Sequence, residues 1–322
     1  SKEDIHVYSI DEAFMDVTNY LKMYQMNPVE LAKTIIKDIY KNYGITATAG
    51  IGTNMYLAKI ALDITAKHSA TNIGYLDEEK YKKELWYHKP LSDFWQIGKG
   101  IERRLNKMRV FTMYDVAHTD QKRLYKEFGV NAEYIIDHSW GKESCTIADI
   151  KKYKPKTNSI TNSQVLFEDY SFEKARLVLK EMVELGSLRL IENNLVTDTV
   201  GLYIGYSKDV IKATSEFKKL ENYTNGYREL LKVFLEIYDK NTNRGIAIRR
   251  IGVSFGNVIE TENVQLSLFT DQEKIDKERK LELAMSSIKH KMGKNTILRG
   301  MNLEEGATTI LRNKLVGGHN AG

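Results

Sequence analysis

The amino-acid sequence predicts an α+β protein of several domains, and three observations carry that prediction. A chain of 322 residues is long for a single hydrophobic core, so two or three domains are expected. Only three prolines occur, Pro28, Pro90 and Pro155, and each stands at a break in the hydrophobic pattern. Strands alternate with helices near both ends of the sequence, and an all-helical stretch lies between. These breaks divide the chain into residues 1–76, 77–150, a basic linker at 151–156 (KKYKPK), 157–256 and a polar C-terminal tail at 257–322.

Residues 1–76 read as strand, turn, strand, a helix over 28–43, a strand over 45–51 (ITATAGI) and a helix over 55–67, which is a helix-covered sheet. Pro28 suits the first position of its helix, and Gly44 suits the stop. Residues 90–150 read as helical throughout. Residues 157–256 read as strand 159–167, helix 172–193, strands 198–206 and 211–217, helix 225–239 and strand 246–256. That β-α-β-β-α-β order predicts a four-stranded antiparallel sheet with two helices on one face. One further helical run lies near 272–292 in the polar tail.

Composition narrows the function classes. With 42% hydrophobic and 28% charged residues the chain is of globular type. It holds no apolar run long enough to span a bilayer, and its start, SKEDIHVY, has no signal-peptide pattern. A single cysteine, Cys145, excludes an internal disulfide and a cysteine-cluster metal site, and makes the cytoplasm the default location. The net charge of +5 divides as −1 over 1–75, 0 over 76–150, +4 over 151–260 and +2 over 261–322. The positive excess in the second half suits a polyanion such as nucleic acid, and it equally suits ordinary solubility.

Five motifs bear on chemistry. In HVYSIDEAFMDV (6–17), Asp11 and Glu12 interrupt an apolar, strand-like run. Neighbours on one strand point to opposite faces, but at a hairpin tip they could converge as ligands for a hard divalent cation. Taken alone, the pair reads first as a solvated turn. In IGKGI (97–101), Gly98 and Gly100 flank Lys99 ahead of IERRLNKM, the pattern of a helix-hairpin-helix that offers amides, Lys99, Arg103 and Arg104 to a phosphate; a plain helix-connecting turn fits as well. Lys59 and Lys67, eight residues apart, project from similar sides of one helix, where lysines face a triphosphate or simply solvent. Arg249 and Arg250 (IAIRRIGVSF) place positive charge on a strand, for DNA or for solvent. Finally QLSLF, Gln265, Leu266, Ser267, Leu268 and Phe269, is an apolar segment in a polar tail, suited to docking a partner or to folding back.

Together these motifs resemble the Y-family translesion DNA polymerases, bacterial UmuC-like branch. YSIDEAFMDVT (8–18) is similar to the family's palm motif, AGIGTNMYLAKIALDITAKH (49–68) to the strand and helix that follow it, residues 97–109 to the thumb, and 157–256 to the little finger. The resemblance implies a palm over 1–76, a helical thumb over 77–150 and a DNA-binding little finger over 157–256. It makes Asp11 and Glu12 catalytic ligands of two Mg2+ ions, and makes Lys67, with Lys59 a weaker second, a contact to the dNTP triphosphate. Gly98, Lys99, Gly100, Arg103, Arg249 and Arg250 would hold primer–template DNA, and QLSLF would dock on the bacterial sliding clamp (beta), with accessory repair proteins as further partners. Nothing in the sequence matches the family's first palm strand, which carries another catalytic aspartate, or its fingers. The expectation is therefore a polymerase lacking its N-terminal portion and inactive by itself; the alternative is a non-catalytic DNA-binding repair factor recruited by the clamp. Met55 stands where many relatives have lysine, and His68-Ser69 replaces a proline-containing turn.

Overall fold

In the computed structural model, which describes residues 1–155, 158–207, 210–263, 272–316 and 319–320, the chain divides into two units, Ser1–Tyr153 and Lys154–Gly322. The first begins with an antiparallel hairpin, β1 (Ile5–Val7) and β2 (Ala13–Met15), in the register Ile5 to Met15 and Val7 to Ala13. A short helix α1 (Thr18–Tyr24) leads to α2 (Pro28–Tyr43). Its start is fixed by a capping box between Asn27 and Glu30 with Pro28 behind the cap, and its end by Gly44 at φ 67°. Both limits agree with the sequence reading.

Strand β3 (Ala49–Gly52) then pairs in parallel with β4 (Ile73–Leu76), and α3 (Met55–Ile60) crosses between them. The strand expected over 45–51 begins four residues late, because pairing with β4 starts at Ala49 opposite Ile73. The helix expected over 55–67 also changes pitch: a π turn occupies Ala61–Thr65 and a 3-10 turn Ala66–His68. Glycines set how closely these pieces approach. A Cβ at Gly50 would lie 2.1 Å from the Ala58 carbonyl oxygen, and one at Gly52 would lie 2.2 Å from the Ala58 amide nitrogen. Beside the hairpin, a groove of about 230 Å³ opens between β2, β3 and α2, lined by Phe14, Met15, Leu31, Ile35, Ile39 and Ile51, with Glu12 and Lys59 also on its wall.

Six helices complete the first unit: α4 (Glu78–Leu85), α5 (Lys99–Lys107), α6 (Met113–His118), α7 (Gln121–Phe128), α8 (Ala132–Ser139) and α9 (Ile147–Lys152). One apolar core runs from Tyr56, Leu57 and Ile60 of α3 through Tyr81 and Phe94 to Leu105 of α5, all at most 1% exposed. The helical stretch and the α3 layer therefore share a core.

The second unit runs β5 (Ile160–Tyr170), α10 (Phe172–Glu192), β6 (Leu195–Tyr206), β7 (Thr214–Thr224), α11 (Tyr227–Asn241) and β8 (Ile248–Gly256). The strands are antiparallel in the order β5-β8-β6-β7, and a short β9 (Ile259–Glu260) pairs with β6. Ile251, Val253 and Phe255 of β8 are fully buried with Phe234 of α11 and Met182 of α10. Gly186 lets α10 lie against Phe255, whose ring would be 2.1 Å from an added Cβ.

The C-terminal stretch departs from expectation. Residues 257–322 read as a polar tail, yet α12 (Gln272–Met292) packs on α10, with Met285, Glu282 and Ser286 buried. Beyond it, the buried Glu181 of α10 accepts hydrogen bonds from Asn302 (2.9 Å), the Thr308 amide (2.7 Å) and hydroxyl (3.0 Å) and the Thr309 amide (3.2 Å), at the start of α13 (Thr309–Arg312). The segment is polar because its contacts are hydrogen bonds and ion pairs, a distinction that hydropathy alone cannot make.

Candidate active site and nucleic-acid interface

Between β1 and β2 the loop Tyr8–Glu12 is closed by the amides of Tyr8 and Ser9, both donating to the Glu12 carbonyl at 3.0 and 3.1 Å. The exposed Asp11 accepts from the Ser9 hydroxyl at 2.6 Å, which fixes the carboxylate at the hairpin tip. Glu12 turns the other way: Lys59 Nζ donates to Oε1 at 2.9 Å and to Oε2 at 2.8 Å. The two carboxylates thus share the hairpin and differ in partners.

Lys59 reaches Glu12 because α3 is anchored at both sides of its first turn. The Asn54 side chain accepts from the Leu57 amide at 2.8 Å and donates to the Gly141 carbonyl at 2.9 Å. The lysine side chain is 8% exposed, lies 3.2 Å from Asp63 and sits 5.4 Å over the ring of Tyr8. That ring is held in turn by Trp95, whose Nε1–H donates to the Tyr8 hydroxyl at 2.9 Å. Burial works to lower the Lys59 pKa, but hydrogen bonds to Glu12 and Asp63 outweigh it, and the ammonium is held above the ordinary lysine value. Lys67 is 61% exposed and 3.4 Å from the same Asp63.

The structure therefore brings together Glu12, Lys59, Asp63 and Lys67. Asp63, Tyr8 and Trp95 were not among the site residues expected from the sequence. Asp63 had a legible signal, lying four residues from each lysine, the helical spacing for ion pairs. Tyr8 and Trp95 had none, because their contact spans 87 positions. Among the described residues no group of three or more His, Cys, Asp or Glu side chains is placed to hold a metal ion. A hard cation still fits the hairpin, since magnesium commonly takes one or two carboxylates and completes its shell with water and phosphate. The Lys59 ammonium, bound by both Glu12 oxygens, is a stand-in cation at that carboxylate.

The other expected contacts fall elsewhere. Gly98 is the N-cap of α5, and Lys99, Gly100 and Arg103 follow in its first turns. Before them stands only a 3-10 turn, Leu91–Asp93, where a helix-hairpin-helix calls for a first helix. Gly98 and Gly100 have nothing within 4 Å of an added Cβ among the described residues, and no side chain caps α5. Arg103 Nε donates to the Lys99 carbonyl at 3.3 Å, whereas Arg104 is taken by Glu127 at 2.6 Å. In the second unit Arg250 lies over the Tyr203 ring on the sheet face away from the helices, and Arg249 lies 3.7 Å from Asp169. Gln265, Leu266, Ser267, Leu268 and Phe269 lie outside the described residues. No described helix is long and apolar enough to cross a membrane.

Comparison with known proteins adds a second line. Residues 1–63 match the impB/mucB/samB family, and residues 157–268 match the C-terminal domain of that family. UvrX of Bacillus subtilis (strain 168), named for UV-damage repair, is 33% identical over 322 residues, covering 98% of this chain and 74% of UvrX. The protein named DNA polymerase IV 2 from the same organism is 30% identical over 322 residues, covering 98% of this chain and 75% of its own. DNA polymerase IV of Clostridium acetobutylicum is 29% identical over 306 residues, covering 94% and 73%. Among solved structures, the Y-family DNA polymerase chimera Dbh-Dpo4(243-245)-Dbh aligns over 80% of this chain and 72% of its own, with a TM-score of 0.57 and 24% identity, a likeness of fold.

Proposed function

We propose a mechanism from the premise that this chain belongs to the impB/mucB/samB family, the Y-family DNA polymerases. Its function is DNA-directed DNA synthesis across damaged template. The observation that carries the reading to particular residues is the hairpin that holds Asp11 and Glu12 side by side, with Glu12 paired to Lys59 of α3. Asp11 and Glu12 would hold two Mg2+ ions. Bound there, the metal supplies charge neutralisation of the triphosphate and a lowered pKa for the primer 3′-hydroxyl.

The chain's own side chains do the positioning. Ser9 fixes Asp11, and Lys59 pairs with Glu12. Lys67, exposed and weakly held, is the group free to meet an incoming dNTP triphosphate. The bare N-terminal turn of α5, with Lys99 and Arg103, holds a backbone phosphate of primer–template DNA, and the face bearing Arg250 adds further phosphate contacts. These two elements are the thumb and little finger of the proposal. The QLSLF sequence supports recruitment by a sliding clamp.

Primer extension with Mg2+ and four dNTPs tests the reading, using a longer form of the chain that carries a family N-terminal region, first palm strand and fingers together, and Glu12→Ala in that longer form. Extension by the longer form, lost in Glu12→Ala, is expected. Failure of the longer form to extend a primer it binds would leave a non-catalytic DNA-binding factor.

A further inference from the structure

We infer that Lys59 occupies the cation position of Glu12 in the metal-free protein and exchanges with the divalent ion, keeping Asp63 as its counter-charge. The inference rests on the reading of Glu12 as a metal ligand and goes beyond it, because it turns Lys59 from a phosphate contact into a positioning residue. Three observations carry it. The Nζ atom lies almost equally far from both Glu12 oxygens, 2.9 and 2.8 Å, which is where a cation bound by both oxygens would lie. The lysine is 8% exposed and boxed by Glu12, Asp63 and the Tyr8 ring, so it has little water to retreat into. Asp63 is already within 3.2 Å, so losing Glu12 need not leave a buried, unpaired charge.

The exchange also reaches Lys67. Asp63 is shared between Lys59 and Lys67, at 3.2 and 3.4 Å. Once Glu12 goes to the metal, Lys59 leans on Asp63 alone, and the exposed Lys67 is the lysine released. Loss of the Glu12 partner thereby frees Lys67 to meet the triphosphate, an ordering that follows from two lysines competing for one carboxylate.

Mn2+ binding to the full chain without DNA or nucleotide, followed by the electron paramagnetic resonance signal of the free ion, tests this. Lys59→Met and Lys59→Gln remove the competing cation and should tighten Mn2+ binding at least fivefold, with the fold checked by circular dichroism. Asp63→Asn deprives Lys59 of its second partner and should weaken binding at least threefold, and Lys67→Met should leave it within twofold. Binding in both Lys59 variants that is no tighter than in the parent, or absent from all of them, overturns the exchange. Binding that persists in Glu12→Gln overturns the assignment of Glu12 itself, a separate result from loss of the Lys59 effect.

Discussion

His138 shows at the scale of one residue how burial writes a pH dependence into this protein. It is 2% exposed, stacks on Tyr56 with ring centroids 3.9 Å apart, and places Nε2 3.0 Å from Glu143. Its Nδ1 has no hydrogen-bond partner among the described residues. Burial pushes the imidazole pKa below the ordinary 6.5, and Glu143 offsets only part of that. The folded state then resists a proton that the unfolded chain accepts. The stability contribution is complete above pH 6.5 and is lost as pH falls from 6.5 towards the lowered folded value. Trp86, Trp95 and Trp140 all lie in the first unit, so a thermal melt read by tryptophan fluorescence reports on that unit. Its midpoint should fall between pH 7.5 and 5.5 in the parent (~2 units spanning the window) and fall much less in His138→Gln. Equal slopes in the two proteins would assign the pH dependence to other groups.

Two kinds of glycine separate at the scale of elements. Gly50 is required by packing, because an added Cβ would meet backbone atoms of α3 and of the π turn at 2.1 and 2.3 Å. Neither contact ends in a flexible side chain that can yield, so Gly50→Ala should destabilise the first unit by about 3 kcal/mol in a urea titration. Gly100 lies inside α5 in open space, and Gly100→Ala should instead stabilise by up to about 1 kcal/mol. If DNA approaches that bare turn, the same change should weaken DNA binding roughly tenfold, the worth of one phosphate contact of about 1.5 kcal/mol. Unchanged affinity for a primer–template duplex would remove the α5 turn from the interface.

At the scale of the whole molecule, a buried carboxylate of α10 holds a stretch that reads in the sequence only as a polar tail. Glu181 is 2% exposed and ties Asn302, Thr308 and Thr309 to α10. Arg299 adds ion pairs to Glu184 at 3.1 Å and to Glu282, also a buried residue. Glu181→Ala leaves those donors without their acceptor, at a cost of about 3 kcal/mol. Limited proteolysis should then cut within residues 293–312 far faster than in the parent, while fluorescence melting of the first unit stays put. Unaltered proteolysis would mean that apolar contacts of α12 hold the segment unaided.

Much of the fold is legible in the sequence. The Asn27-Pro28 start and Gly44 stop of α2 follow from local capping chemistry, and the β-α-β-β-α-β order follows from hydrophobic period, since both signals lie within a few neighbouring residues. The sequence by itself also determined the family, through motifs such as YSIDEAF, in which Asp11 and Glu12 stand side by side. Only the tertiary structure decided what those residues touch: Glu12 meets a lysine 47 positions away, and Tyr8 meets a tryptophan 87 positions away. It likewise decided that the polar C-terminal stretch is packed. Pattern reports which residues avoid water, whereas a buried ion pair or a satisfied carboxylate avoids it only once a distant partner has been brought within hydrogen-bonding reach.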